Sequence, residues 1–191
     1  MRRLFAALIG LLLLGGWACA EAPFVFQNAL GWDSTREEAL AWLGEGAEAD
    51  SDATEGYGNV ETLVADDRSF GGLPCARVSI TYFDGQMAGI FCYFKNAEIV
   101  DPLRLLDAVA AEYGEPTRYG TRSINDTAPS VFDTFCVWDL ADGETRIGFY
   151  TYTRGGARYP YDQCIAFEHT PVMERLNAQS ETFQAEQAAS N

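Results

Sequence analysis

Polar and apolar residues alternate in two distinct rhythms along this chain, and the switch between them outlines its elements. After Pro23 a short apolar stretch, FVFQNALGW, leads into Ser34-Thr35-Arg36-Glu37, which has the form of a capping box. Ala39, Leu40, Trp42 and Leu43 then fall at helical spacing, and Gly44 supplies a residue that tolerates positive φ. These signals predict a short helix over about 35–43. A second helix begins with Asp101 as N-cap and Pro102 in the first turn. Its apolar stripe is Leu103, Leu106, Val109, Ala110 and Tyr113, with Gly114 and Pro116 ending it.

Between and after the helices the rhythm shortens to that of strands. Thr62 to Ala65, Arg77 to Phe83 and Met87 to Phe94 follow the first helix. Val131 to Leu140, Thr145 to Thr153 and Gln163 to Phe167 follow the second. Asp84-Gly85 is a strong hairpin signal, and Asp142-Gly143 and Gly155-Gly156 mark further turns. Leu43-Gly44-Glu45 and Tyr113-Gly114-Glu115 stand 70 residues apart, and Cys92 and Cys164 stand 72 apart. The expected fold class is therefore α+β in two layers. Two α-β-β-β-like repeats place their helices on an antiparallel sheet. Half one covers about 24–97 and half two about 98–170, within a single domain over 21–170. The remainder, 171–191, starts helix-like at Pro171 and is expected to fray beyond about Gln179.

The first twenty residues follow neither rhythm. Arg2 and Arg3 precede an apolar run from Leu4 to Leu14, and Ala18-Cys19-Ala20 forms a small-x-small site before Glu21. This is the pattern of a secretory signal peptide over 1–20. It places the protein outside the cytoplasm, secreted or in the cell envelope, and keeps the apolar run out of the fold. Ala18 also suits the position before a lipidated cysteine, but Gly16 and Trp17 do not, so the mature chain is read as starting at Glu21 and not at Cys19. Membrane association follows only if Cys19 carries lipid.

Charge narrows the partner classes. The full chain carries −15, and removing the two arginines of residues 1–20 leaves −17, with Lys95 the sole lysine. Such a surface repels nucleic acid, whose recognition rests on clustered Lys and Arg. Cys75, Cys92, Cys136 and Cys164 make an even count behind an export signal, which argues for two disulfides. One bridge per half, Cys75–Cys92 and Cys136–Cys164, is the preferred pairing. With a plain two-residue turn at Asp84-Gly85, Cys92 faces Arg77 and Cys75 is only a diagonal neighbour. A bulge or shifted register is then needed to bridge them.

Catalytic signals are weak. There is no nucleophile elbow, phosphate loop or dinucleotide fingerprint, and His169 is the only histidine. Asp66-Asp67 and Asp139 with Asp142 are carboxylate pairs near turns, where solvation is the ordinary role. Asp50, Asp52, Thr54 and Glu61 match positions of a calcium loop, but Glu55 stands where its glycine belongs. No cofactor and no metal are expected. Aromatic residues are more suggestive. Tyr150 and Tyr152 share one strand face, and Tyr159 and Tyr161 follow across a turn holding Arg154 and Arg158. Tyrosine and arginine dominate binding hot spots.

A capped helix ending in Leu43-Gly44-Glu45, followed by the hairpin SITYFDGQMAGIFCYF, resembles the helix-plus-sheet repeat of small exported bacterial proteins. The β-lactamase inhibitor proteins contain two such repeats, and outer-membrane assembly lipoproteins of the SmpA/OmlA type contain one. The similarity spans about residues 24–169 and lies in architecture. It implies a sheet face and loops that grip a partner protein, which here points to Trp138, Tyr150 and Tyr152. The expected function is an exported, non-catalytic module that binds a protein partner through Trp138, Tyr150, Tyr152, Arg158, Tyr159 and Tyr161. The alternatives are a lipid-anchored envelope assembly component and a carboxylate-dependent hydrolase.

Overall fold

The computed structural model describes residues 23–50, 59–95, 101–121, 134–151 and 162–189. The 1–20 segment with Cys19, and Tyr152, Arg158, Tyr159 and Tyr161, lie outside the described residues. Among the described residues, three helices accompany one eight-stranded antiparallel sheet, a mixed α+β architecture with helices on a sheet.

Helix α1 spans Arg36–Leu43 and helix α2 spans Pro102–Tyr113. The start of α1 differs by one residue from the expectation. Thr35 is the N-cap, accepting from the Glu38 N–H while the Glu38 carboxylate accepts from the Thr35 N–H at 2.8 Å. Ser34 instead accepts from the Gly31 N–H. Asp101 caps α2 as expected, accepting from the Leu103 N–H at 2.9 Å. Gly44 and Gly114 end the two helices in matching ways, with φ of 76° and 80°. The buried face of α2 is Leu105 and Val109, whereas Leu103 is 65% exposed. The expected stripe was thus rotated by a fraction of a turn.

The strands are β1 (Glu48–Ala49), β2 (Val60–Phe70), β3 (Leu73–Phe83), β4 (Gln86–Phe94), β5 (Arg118–Thr121), β6 (Thr134–Asp139), β7 (Thr145–Thr151) and β8 (Gln163–His169). Their spatial order is β1-β2-β3-β4-β8-β7-β6-β5. Among the described residues four strands follow each of α1 and α2, not three; β1 and β5 are the additions, and both are short edge strands. The two groups of four meet at the β4–β8 ladder, where Cys92 faces Ile165.

One sheet face packs under α1, α2 and the 23–32 segment. Phe26, Leu43, Phe70, Ile80, Ile90, Phe94, Leu105, Val109, Trp138, Phe149 and Phe167 form a single buried cluster there. Phe167 lies at its centre, its ring centroid 4.8–5.9 Å from those of Phe24, Phe26, Phe70 and Tyr113. Burying side chains of this size stabilises by roughly 1.5–3 kcal/mol each.

Two irregularities set which residues reach this core. Asp67 adopts φ of 54°. On either side of it the buried positions change from Leu63 and Ala65 to Phe70, and on β3 from Val78 and Ile80 to Cys75 and Leu73. A β-bulge between β3 and β4 shifts the register after the Asp84-Gly85 turn, so Cys92 faces Val78 instead of Arg77. Helix α3 (Thr170–Ala189) follows β8 directly and continues past Gln179, where fraying was expected. Its Val172 is buried against Phe83 and Ala88, and Val60, Met173 and Leu176 pack around them.

Candidate functional site

Strand alternation leaves the second face of the sheet with a different composition. β2 contributes Thr62 and Val64, β3 Arg77, Ser79 and Thr81, and β4 Phe91 and Tyr93. With Leu176, Asn177 and Ser180 of α3 they line an open groove of about 480 Å³. That size suits a small ligand or the side chains of a docked protein. The floor is polar but uncharged in its middle, where the Thr62 and Thr81 hydroxyls meet at 3.3 Å. Charge sits at one end. The Arg77 guanidinium donates to Asp66 at 2.7 Å and lies 3.8 Å from Asp50. This hydrogen bond holds the Asp66 carboxyl below the usual carboxylate range, against the effect of desolvation.

Beyond β4 the same face continues over β8, β7 and β6. Glu168, Arg146 and Asp139 face one another across three strands. Asp139 accepts from Arg146 at 2.9 Å and pairs with Arg118 at 3.1 Å. The hydrogen bond to Arg146 lowers the Asp139 carboxyl and raises Arg146. Glu168 behaves oppositely: burial pushes its carboxyl up, partly offset by the Arg146 charge.

Two aromatic rings lie flat on this face because glycine precedes each by two positions. A Cβ on Gly148 would stand 2.6 Å from Tyr150 Cε2, and one on Gly89 would stand 3.0 Å from Phe91 Cε2. The rings occupy the space a side chain would take, on the two strands that flank β8. Phe91, Tyr93 and Tyr150 are each half-buried. Burial raises the Tyr150 phenol to about 12, so it remains a neutral hydrogen-bonding group at physiological pH.

Of the residues expected to bind, Tyr150 alone is placed on this face among the described ones. Trp138 is corrected. It faces Ile147 across the β6–β7 ladder, points into the core at 1% exposure, and donates from Nε1 to the Gly114 carbonyl at 2.7 Å. It ties β6 to the end of α2 and cannot touch a partner. Phe91, Tyr93 and the groove-lining hydroxyls were not singled out in the sequence. The signal for the rings was present as Gly89-Ile90-Phe91 and Gly148-Phe149-Tyr150, a small residue two places before an aromatic on a strand.

The other candidate chemistry resolves into structural roles. Asp142 accepts from the Thr145 hydroxyl at 2.6 Å and from the Glu144 and Thr145 N–H groups. Burial opposes ionisation there, but these hydrogen bonds outweigh it and the carboxyl is lowered. His169 stacks on Trp32 at 5.2 Å, with Nδ1 3.3 Å from the Met87 carbonyl. Glu61 of the calcium-like pattern pairs with Arg36 at 2.7 Å, while Asp52 and Thr54 lie outside the described residues. Among the described residues no three His, Cys, Asp or Glu side chains are placed to hold a metal ion, and no helix is long and apolar enough to cross a membrane.

All four cysteines of 21–191 are buried. The expected Cys136–Cys164 bridge does not fit the topology. Cys136 sits on β6 opposite Phe149, and Cys164 sits on β8 opposite Tyr150, with β7 between them. Two strand spacings are about 9–10 Å, beyond the reach of about 7 Å between bridged Cα atoms. Their side chains also point to opposite faces. Compared with known protein families, curated proteins and solved structures, the chain matches none of them.

Proposed function

We propose that this protein is an exported binding module without catalytic activity, which engages a protein partner through the sheet face opposite α1 and α2. The observation that carries the reading is the composition of that face. Phe91 and Tyr93 line the groove of about 480 Å³ and Tyr150 lies on the same face two strands away, all three half-buried, although the opposite face has already buried the larger apolar side chains. Half-exposed aromatics beside arginine–aspartate pairs are the residue types that anchor protein interfaces. The glycines at 89 and 148 support a contact role, because they let rings lie low and leave a broad, shallow platform.

The module is further read as two similar halves, each a helix followed by four strands. The mirrored strand order about β4 and β8, and the matching caps at Gly44 and Gly114, support this reading. The net charge of −17 after removal of residues 1–20 favours a partner with a basic surface, through complementarity that accelerates encounter. The test is alanine at Phe91 and Tyr150 together, with partner capture from the native extracytoplasmic fraction. The variant stays folded and loses the captured protein if the reading holds. Retained capture, or loss of the fold, removes it.

A further inference from the structure

The groove between β2, β3, β4 and α3 has a polar floor and an aromatic side. Thr62 and Ser79 are each 7% exposed, and with Thr81 they line it from the sheet. The Thr62 and Thr81 hydroxyls meet at 3.3 Å, and that mutual bond leaves the pair a proton and lone pairs for a ligand. Asn177 of α3 adds an amide from the wall, and Phe91 and Tyr93 add ring faces. The two rings are within 17° of parallel, with centroids 6.4 Å apart, and Phe91 lies low over Gly89. The charged end is closed on itself: Arg77 donates to Asp66 at 2.7 Å and lies 3.8 Å from Asp50. An apolar side chain docked on this floor would cover its hydroxyls without bonding them, at the cost of their desolvation. A ligand that carries hydroxyls of its own and one flat apolar face avoids that cost.

We propose that this groove binds a neutral saccharide chain whose pyranose units carry equatorial hydroxyls. Such a ring joins an apolar C–H face to a rim of groups that both donate and accept. The C–H face rests on the Phe91 and Tyr93 rings, and the rim exchanges hydrogen bonds with Thr62, Thr81 and Asn177. The groove volume of about 480 Å³ lies within the range of about 300–1,000 Å³ usual for small-ligand sites. The strongly acidic chain repels anionic polysaccharides, and Arg77, already paired with Asp66, offers them no free counter-charge. The site uses neither Tyr150 nor the Arg146–Asp139 pair. It therefore goes beyond the protein contact proposed above and does not rest on it.

The experiment titrates cellohexaose, maltohexaose and chitohexaose separately into the protein by isothermal titration calorimetry, with polygalacturonate as the anionic probe. Saturable binding of at least one neutral hexasaccharide, and none of polygalacturonate, is the expected result. No saturable binding of any of the three, or binding of polygalacturonate alone, overturns the proposal. Thr62→Val with Thr81→Val removes both partners of one hydrogen bond and keeps the side-chain shape, a change close to neutral for folding. It should weaken the binding about tenfold. Asn177→Ala, at an exposed position of α3, is the second variant and should weaken it by a smaller factor. Binding that survives unchanged in either variant contradicts the assignment. Phe91 and Tyr150 stay in place in both, so protein capture should equal that of the wild type, and the two readings fail separately.

Discussion

The two faces of the sheet are made by the same strands, often by adjacent residues, and differ in almost every respect. Beneath α1 and α2, Phe149 and Trp138 are essentially sealed, and Trp138 satisfies its indole N–H within the core. One residue along, Tyr150 lies flat and half-exposed over Gly148, and Asp139 holds Arg118 and Arg146 at the surface. One face is committed to stability, with close-packed rings and few polar atoms. The other carries threonine and serine hydroxyls, flattened aromatics and ion pairs, and α3, which covers part of it, buries Val172. An aromatic residue in a strand is therefore no evidence of a binding surface until its face is known.

Substitutions separate the two faces by size of effect. Trp138→Ala leaves a large cavity and frees the Gly114 carbonyl, so chemical denaturation should show a loss of about 3–5 kcal/mol. Phe91→Ala with Tyr150→Ala removes half-exposed rings and should cost about 1–2 kcal/mol in total, read in the same way. A loss as large as that of Trp138→Ala would make both faces core. Gly148→Ala forces the Tyr150 ring to move and should cost roughly 1 kcal/mol. Adding Tyr150→Ala to it should recover most of that loss, because the clash disappears; a double-mutant cycle that is purely additive would show the ring does not lie over Gly148.

The smallest effects are electrostatic, and two acids of the open face, Glu168 and Asp139, should respond to pH in opposite directions. Glu168 has a raised carboxyl in the folded state. Above its unfolded pKa the folded protein holds the extra proton, so stability falls as pH rises from the unfolded value through the raised one. Glu168→Gln should abolish that decline and leave the neutral-pH protein slightly more stable. Asp139 has a lowered carboxyl. Its contribution is present above the ordinary aspartate pKa and is lost as pH falls through the lower folded value. Because its side chain is 44% exposed, Asp139→Asn should cost less than about 1 kcal/mol, and less again in high salt. Denaturation midpoints between pH 3 and pH 7 in both variants check these signs.

Legibility in the sequence followed the range of the interaction. Asp101-Pro102 and the glycines at 44 and 114 act within a turn or two of chain, and they marked the helices correctly. The cap of α1 slipped by one because Ser34 with Glu37 and Thr35 with Glu38 satisfy the same local rule. β1 and β5 carried too little pattern to see; two and four residues become strands only because β2 and β6 present an edge to them. Register was the main loss. The parity of Tyr150 against Phe149 was readable within one strand, but Trp138 lies across a turn from it. A one-residue difference in that loop exchanges core for surface. The phase change at Asp67 and the bulge after Asp84-Gly85 are likewise set by packing between strands, and together they decide where Cys75 and Cys92 point.

The most direct test of the account is a paired measurement on the Phe91→Ala, Tyr150→Ala double variant. Its folding stability is measured beside its capture of a protein from the native extracytoplasmic fraction, with Leu103→Ala on the exposed side of α2 as control. The account predicts that the double variant folds, that it fails to retain a protein held by the wild type, and that Leu103→Ala retains it. Unfolding of the double variant, or capture equal to that of the control, would contradict the claim that the open sheet face is the binding surface.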